Sequence, residues 1–260
     1  MMLNRVNSKL ISQMNKRVIV FLFFSAYFFS TCKVYGQGSR NRQLSIITSL
    51  SKGEKEQPLP EDSVLKSYLR IELISRSQFL SKQKTAVNFV TTDSTGIKKK
   101  NGKLRLPIKT GSKVFTDKSP FDESKQEYTY LGQIGFLNAY IIGGLYWEEL
   151  DYKFISKVNG AEMQRFGGFP YVSPDKKHIL TIYADPYDTD ADLELFNMVK
   201  GRPKLVIRVS FKNWMPAVDK VNMFWSSDGY FYVPVLAPEK YWKQDGNLND
   251  KYEYIRIGVR

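Results

Sequence analysis

Tyr171-Val172-Ser173-Pro174-Asp175-Lys176-Lys177-His178-Ile179-Leu180-Thr181-Ile182-Tyr183 reads as a tight turn feeding directly into a strand. Pro174 presets its own φ, the short polar side chains of Ser173 and Asp175 bond nearby amides, and the β-branched and aromatic run from His178 suits a pleated surface. Outward from this stretch the same texture continues. Runs at 128–134, 137–142, 151–156, 193–198, 205–211, 230–235 and 252–259 each suit a strand, and no long helical pattern intervenes. The pattern predicts an all-β, antiparallel assembly rather than alternating helix and strand.

The N-terminal part is more mixed. Leu69, Ile71 and Leu73 alternate within 68–74 and predict a strand, although a helix from Pro60 onward competes; Ser75 and Ser77 then offer caps for a short helix reaching Leu80. Asn101-Gly102, inside Lys98-Lys99-Lys100-Asn101-Gly102-Lys103, predicts a hairpin turn flanked by strands at 86–90 and 104–108. The lysine run then sits at a loop tip, either as a solvated end that discourages edge pairing or as a contact for phosphate or polysaccharide. Residues 37–57 are polar with alternating charges and predict a loosely held leader, in which only 44–47 suits a strand.

The turn of the opening stretch has a second copy. Ser226-Ser227-Asp228-Gly229 precedes Tyr230-Phe231-Tyr232-Val233, with its aspartate 53 residues after Asp175. Together with Asp192-Leu193-Glu194-Leu195, these segments resemble the blades of bacterial β-propellers of the periplasmic TolB-like kind, in which a Ser-Pro-Asp-Gly turn precedes one strand and an Asp-Leu-x-Leu strand follows. The resemblance covers about residues 130–260. Lys176 stands where the first turn would carry glycine and Ser227 where the second would carry proline. The resemblance implies a partial or irregular β-propeller, four blades being the usual minimum for a closed ring, with a β-sandwich as the alternative. The chain is also similar to uncharacterised secreted bacterial proteins.

Asn15-Lys16-Arg17 followed by the apolar run 18–31 has the form of an export signal, too short to span a bilayer. Val34-Tyr35-Gly36 fits a signal-peptidase site and predicts a mature chain from Gln37; Met14 is an alternative start. The expected organisation is a signal peptide over 1–36, a leader over 37–57 and one β-rich domain over 58–260, with blade-like repeats in about 128–260. Cys32, the one cysteine, raises bacterial lipid anchoring as the competing fate, though the residues before it fit that processing poorly. A chain starting at Gln37 has no cysteine, which removes disulfides, thiol catalysis and cysteine zinc sites. The formal charge of +13 includes five Lys or Arg in the first 36 residues, leaving about +8 on the mature chain. For an exported protein, such a balance points to anionic lipid, acidic polysaccharide or cell-wall polymer before nucleic acid. No transmembrane helix is expected in the mature chain.

Catalytic motifs fail on inspection. Ser63-Val64-Leu65-Lys66 and Lys109-Thr110-Gly111 match two motifs of penicillin-binding enzymes, but the middle motif is absent and the spacing is far too short. The Gly96 to Gly102-Lys103 segment has one residue too many for a phosphate loop and lacks the following Ser or Thr. His178 is the single histidine and sits beside two lysines at a strand start. Asp185, Asp188, Asp190 and Asp192 form the one candidate cation site, for calcium, although Leu193 and Val199 break the EF-hand pattern.

Two sets of residues remain as candidate sites. Glu148, Glu149 and Asp151 beside Trp147 have the acid-and-aromatic character of a glycosidase site. Trp147, Trp214, Trp225, Tyr232 and Trp242 are candidate stacking rings for sugar or peptide, with core packing as the alternative. The leading expectation is an exported, non-catalytic β-domain that binds a polymer or a protein partner at the cell envelope, with no obligatory cofactor. An envelope hydrolase acting through Glu148, Glu149 or Asp151 is the second, and a structural or assembly protein the third.

Overall fold

The computed structural model describes residues 44–57, 63–92, 96–184, 191–217 and 223–260. The export signal, Cys32, Gln37, Asp185, Asp188 and Asp190 lie outside them. In chain order, strands β1 (Ile47–Lys52) and β2 (Lys55–Glu56) precede a one-turn helix α1 (Ser63–Lys66), strand β3 (Leu69–Ile74) and helix α2 (Arg76–Gln83). Short strands β4 (Ala86–Val87) and β5 (Val90–Thr91) lead into β6 (Lys99–Lys100), β7 (Lys103–Ile108) and β8 (Gly111–Thr116). Two antiparallel meanders follow: β9 (Gln126–Ile134), β10 (Ala139–Tyr146), β11 (Leu150–Ser156) and β12 (Glu162–Phe166), then β13 (Tyr171–Val172), β14 (His178–Tyr183), β15 (Ala191–Val199) and β16 (Arg202–Phe211). The last group is β17 (Met215–Pro216), β18 (Phe224–Ser226), β19 (Tyr230–Leu236) and β20 (Glu253–Val259).

These strands form four antiparallel sheets, and the all-β expectation holds. The first sheet is β6-β7-β8; the second is β12-β11-β10-β9-β5; the third is β13-β14-β15-β16-β1-β2; the fourth is β3-β20-β19-β18-β4, with β17 beside β19. Apolar residues on opposite faces of each strand stack the sheets in that order. Leu104 and Leu106 of the first pack on Tyr140, Ile142 and Ile155 of the second. The other face of the second, through Ile141, Phe154 and Phe166, meets Ile179 and Phe196 of the third. Leu180, Ile182, Leu193, Leu195, Ile207 and Val209 turn the third sheet's remaining face onto Phe231, Val233, Ile255 and Ile257 of the fourth. The fourth is capped by α2, whose Phe79 lies 5.1 Å from Phe224 and 4.5 Å from Tyr254. Each fully buried Leu, Ile or Phe contributes about 1.5–3 kcal/mol, so these three interfaces hold the stack together.

Local signals account for several joints. Asn101 and Gly102 both take positive φ and close the β6–β7 hairpin. Ser75 caps α2 by accepting the Gln78 amide at 3.1 Å. The two related turns share one geometry: Lys176 and Gly229 have φ of +62° and +82°, and Asp175 and Asp228 each accept the amide two residues on. The Ser173 hydroxyl adds a bond to Asp175 at 2.6 Å, and Tyr232 and Lys82 engage Asp228 at 2.8 and 3.0 Å.

Three expectations need correction. The stretch expected as leader carries β1, which pairs with β16 and buries Leu50 opposite Val209, so much of 44–57 belongs to the third sheet. Residues 86–90 do not flank the Asn-Gly hairpin: β4 joins the fourth sheet and β5 the second. The chain also forms β2, β6, β8, β12, β13, β17 and β18 where no strand was expected, so Lys99 and Lys100 of the lysine run belong to a strand rather than to a loop tip. Among the described residues, no helix is long and apolar enough to cross a membrane.

Partial burial disfavours the charged forms of Asp175 and Asp228, yet their hydrogen bonds and neighbouring cations outweigh it and hold both carboxyls below the ordinary 3.8. A lowered folded-state value adds stability that is present above the unfolded value and lost as pH falls through the folded one. Denaturant unfolding is therefore expected to show a loss of stability below about pH 4, smaller in the Asp175→Asn, Asp228→Asn double variant, which retains the acceptor oxygens without the charges.

Candidate functional site

Between the second and third sheets an open cleft of about 590 Å³ remains where apolar packing stops. Alternation places Ile179, Thr181 and Tyr183 on one face of β14, opposite Phe196, Glu194 and Asp192 of β15. Ile179 and Phe196 are covered by the second sheet; Thr181, Glu194, Tyr183 and Asp192, with Arg208 of β16, form the polar remainder that lines the cleft. The opposing side comes from the β10–β11 turn, the start of β11 and the end of β12: Glu148, Glu149, Leu150, Asp151, Arg165 and Phe166. The link Gly167-Gly168 crosses between the walls. A Cβ on Gly168 would stand 2.8 Å from the Ile182 carbonyl oxygen, so only glycine lets this link press against β14.

Glu194 is 7% exposed and fully engaged. Arg208 donates to its Oε1 through Nε and Nη2 at 2.9 and 2.7 Å, while the Thr181 hydroxyl and the Gly167 amide donate to Oε2, each at 3.2 Å. Asp192 accepts the Ser210 hydroxyl at 2.5 Å.

Asp151 is also buried and also paired. Lys153, 3% exposed, donates to both of its oxygens, with 2.5 Å to Oδ2, and to the Tyr146 hydroxyl at 2.6 Å. The Arg165 guanidinium lies 3.4 Å from Oδ2. By alternation these side chains share the face of the second sheet that also carries Ile142 and Ile155. Their room comes from Gly144, directly opposite Asp151, where a Cβ would fall 2.5 Å from Oδ1 and 2.7 Å from the Tyr146 hydroxyl. Burial and the Asp151 charge push the Tyr146 phenol up to about 12, so it stays protonated and neutral at ordinary pH. The Lys153 ammonium lies 5.1 Å from the Tyr146 ring centre and 5.8 Å from that of Tyr128.

The turn joining β10 to β11, closed by the Tyr146 amide on the Glu149 carbonyl at 2.9 Å, carries Trp147, Glu148 and Glu149 into solvent. Trp147 is 36% exposed and meets Phe121, 75% exposed, edge to face at 4.6 Å. Trp147 of this surface pair immediately precedes the cleft's Glu148 in sequence.

The other candidate rings are placed differently. Trp214, Trp225 and Tyr232 belong to the core, which corrects their reading as stacking platforms. Trp214 stacks on Phe211 at 4.7 Å and donates to the Leu44 carbonyl; Trp225 packs at 5.4 Å from Phe231 and donates to the Tyr171 carbonyl; Tyr232 stacks on Phe224 at 5.3 Å. Trp242 is 39% exposed and packs edge-on to Tyr241, away from the cleft's lining residues. His178 pairs across strands with Asn197 at 2.8 Å and does not line the cleft.

Of the four calcium candidates only Asp192 falls within the described residues, and among those residues no three His, Cys, Asp or Glu side chains gather as a metal site. The structure therefore brings Glu148, Glu149, Asp151 and Asp192 to the lining of one cleft and adds Thr181, Arg165, Glu194 and Arg208, which sequence reasoning passed over. The signal for Glu194 is a carboxylate set directly between Leu193 and Leu195.

Compared with protein-family models, with curated proteins and with solved structures, the chain gives no match.

Proposed function

We propose that this chain is an exported, non-catalytic binding module of the cell envelope, in which the cleft between the second and third sheets, with the Phe121–Trp147 pair beside it, takes an envelope glycan of the peptidoglycan type. The stacking of four antiparallel sheets in chain order and the shared geometry of the two turns favour a partial β-propeller over a β-sandwich as the frame. The observation that carries the binding reading is the state of the two buried carboxylates. Asp151 is held by Lys153 and Glu194 by Arg208, so neither offers the unpaired acid or base that glycoside hydrolysis requires. What remains along the cleft are hydroxyls, exposed carboxylates and a nearby aromatic surface, a set suited to hydrogen-bonding and stacking on a sugar.

Thermal unfolding of the full chain with soluble peptidoglycan fragments tests this, because a ligand at a hundredfold its dissociation constant stabilises by about 2.7 kcal/mol. The expected result is an upward shift that is lost in Trp147→Ala, a surface variant that leaves the unliganded transition unchanged. No shift with any fragment would overturn it.

One observation favours a second reading. Glu148 and Glu149 line the same cleft as Asp192 and Glu194, so carboxylates from two walls share one space, as they would in a hydrolase. Glycan cleavage abolished by Glu149→Gln without loss of fold would favour that alternative.

A further inference from the structure

We infer that the outer face of the first sheet is a binding surface for a linear acidic polysaccharide, separate from the cleft. Between residues 96 and 118 the chain places eight lysines and arginines against one acid, Asp117. The fold sorts these charges. Leu104 and Leu106 of β7 point inward and are buried, so Lys103 and Arg105 of the same strand point outward and are exposed. Lys100 stands directly opposite Lys103 on β6 and is exposed on the same face.

Like charges directly opposite each other destabilise a strand pair, and here no acid relieves them. Asp117 is taken by Lys99 at 2.5 Å and by the Tyr128 amide at 2.9 Å. Among the described residues, Lys100, Lys103 and Arg105 have no acidic partner. Protection of a sheet edge explains a lysine on β6, but β7 is the central strand of this sheet and needs no such protection.

The occupant follows from the rest of the face. Residues at i and i+2 on a strand are about 6.7 Å apart, so Lys103 and Arg105 form a row along β7 that suits repeated anionic groups on an extended polymer. Beside the row, β8 presents Ser112 and Thr116, whose hydroxyls suit sugar hydroxyls; Arg105 already donates to Ser112 at 2.6 Å. Val114 and Pro107 are the apolar side chains there, too little to enter a bilayer, which argues for a polymer over a lipid surface.

The test is binding of the full chain to polygalacturonate over a range of salt concentrations, comparing wild type with Lys100→Thr, Lys103→Thr, Arg105→Thr and with a control of equal charge change, Lys52→Thr, Lys55→Thr, Lys204→Thr. The face variant is expected to bind about tenfold more weakly, three screened contacts each contributing a factor of about two, with a shallower salt dependence. The control is expected to stay within about twofold of wild type. If the triple variant loses its far-UV strand signal, the double variant Lys100→Thr, Lys103→Thr replaces it, with about a fourfold loss expected. Equal weakening in face variant and control would reduce the effect to net charge and overturn the inference. So would failure of wild type to bind polygalacturonate, including the case in which it binds only anionic vesicles.

Discussion

Asp151→Ala is expected to lower the free energy of unfolding by about 3–5 kcal/mol, because it leaves the Lys153 ammonium buried without its counterion. Lys153 is almost wholly enclosed, and its other polar contact is the neutral phenol of Tyr146, which cannot replace a carboxylate. Arg165, the second cation on Asp151, is largely exposed and turns to solvent at little cost. The paired replacement Asp151→Leu, Lys153→Met is expected to recover most of the loss, since well-packed apolar residues often match a buried ion pair. Urea unfolding of the two variants measures both effects. If the paired variant keeps glycan binding, the ion pair serves the wall of the cleft; if it folds and loses binding, the pair belongs to recognition.

Phe166→Ala is expected to cost about 3–5 kcal/mol as well, through a different cause. Phe166 is fully buried at the junction of the second and third sheets, edge-on to Phe154 at 4.8 Å and to Phe196 at 4.9 Å. It also borders the cleft, next to Gly167-Gly168. Its removal leaves a cavity where two rigid sheets meet, which they cannot collapse to fill. Stability and glycan affinity are therefore expected to fall together, whereas Trp147→Ala lowers affinity alone. Calorimetric unfolding and binding titrations of both variants separate the two.

The strands were legible because alternation and β-branched runs are local properties. The His178–Tyr183 strand is found within its expected bounds, and the Asn101-Gly102 hairpin forms as its turn residues require. Which strands become neighbours was less legible. β1 pairs with β16 more than 150 residues away, and nothing local in Leu50 specifies Val209 as its partner. The buried rings were hard to tell from exposed ones for a related reason: both faces of the fourth sheet are covered, one by the third sheet and the other by α2, so Trp225 and Tyr232 show the same aromatic texture as exposed Trp147. One wall of the cleft was visible as Trp147-Glu148-Glu149-Leu150-Asp151. The opposing wall was hidden, because Thr181, Glu194 and Arg208 lie on three strands and meet only through register.

Isothermal titration of the full chain with soluble peptidoglycan fragments reads binding and turnover in one experiment. The expected result for a binding module is a saturable heat that returns to baseline after each injection and disappears in Trp147→Ala. Sustained heat from cleavage, abolished by Glu149→Gln, or no heat at all, would contradict it.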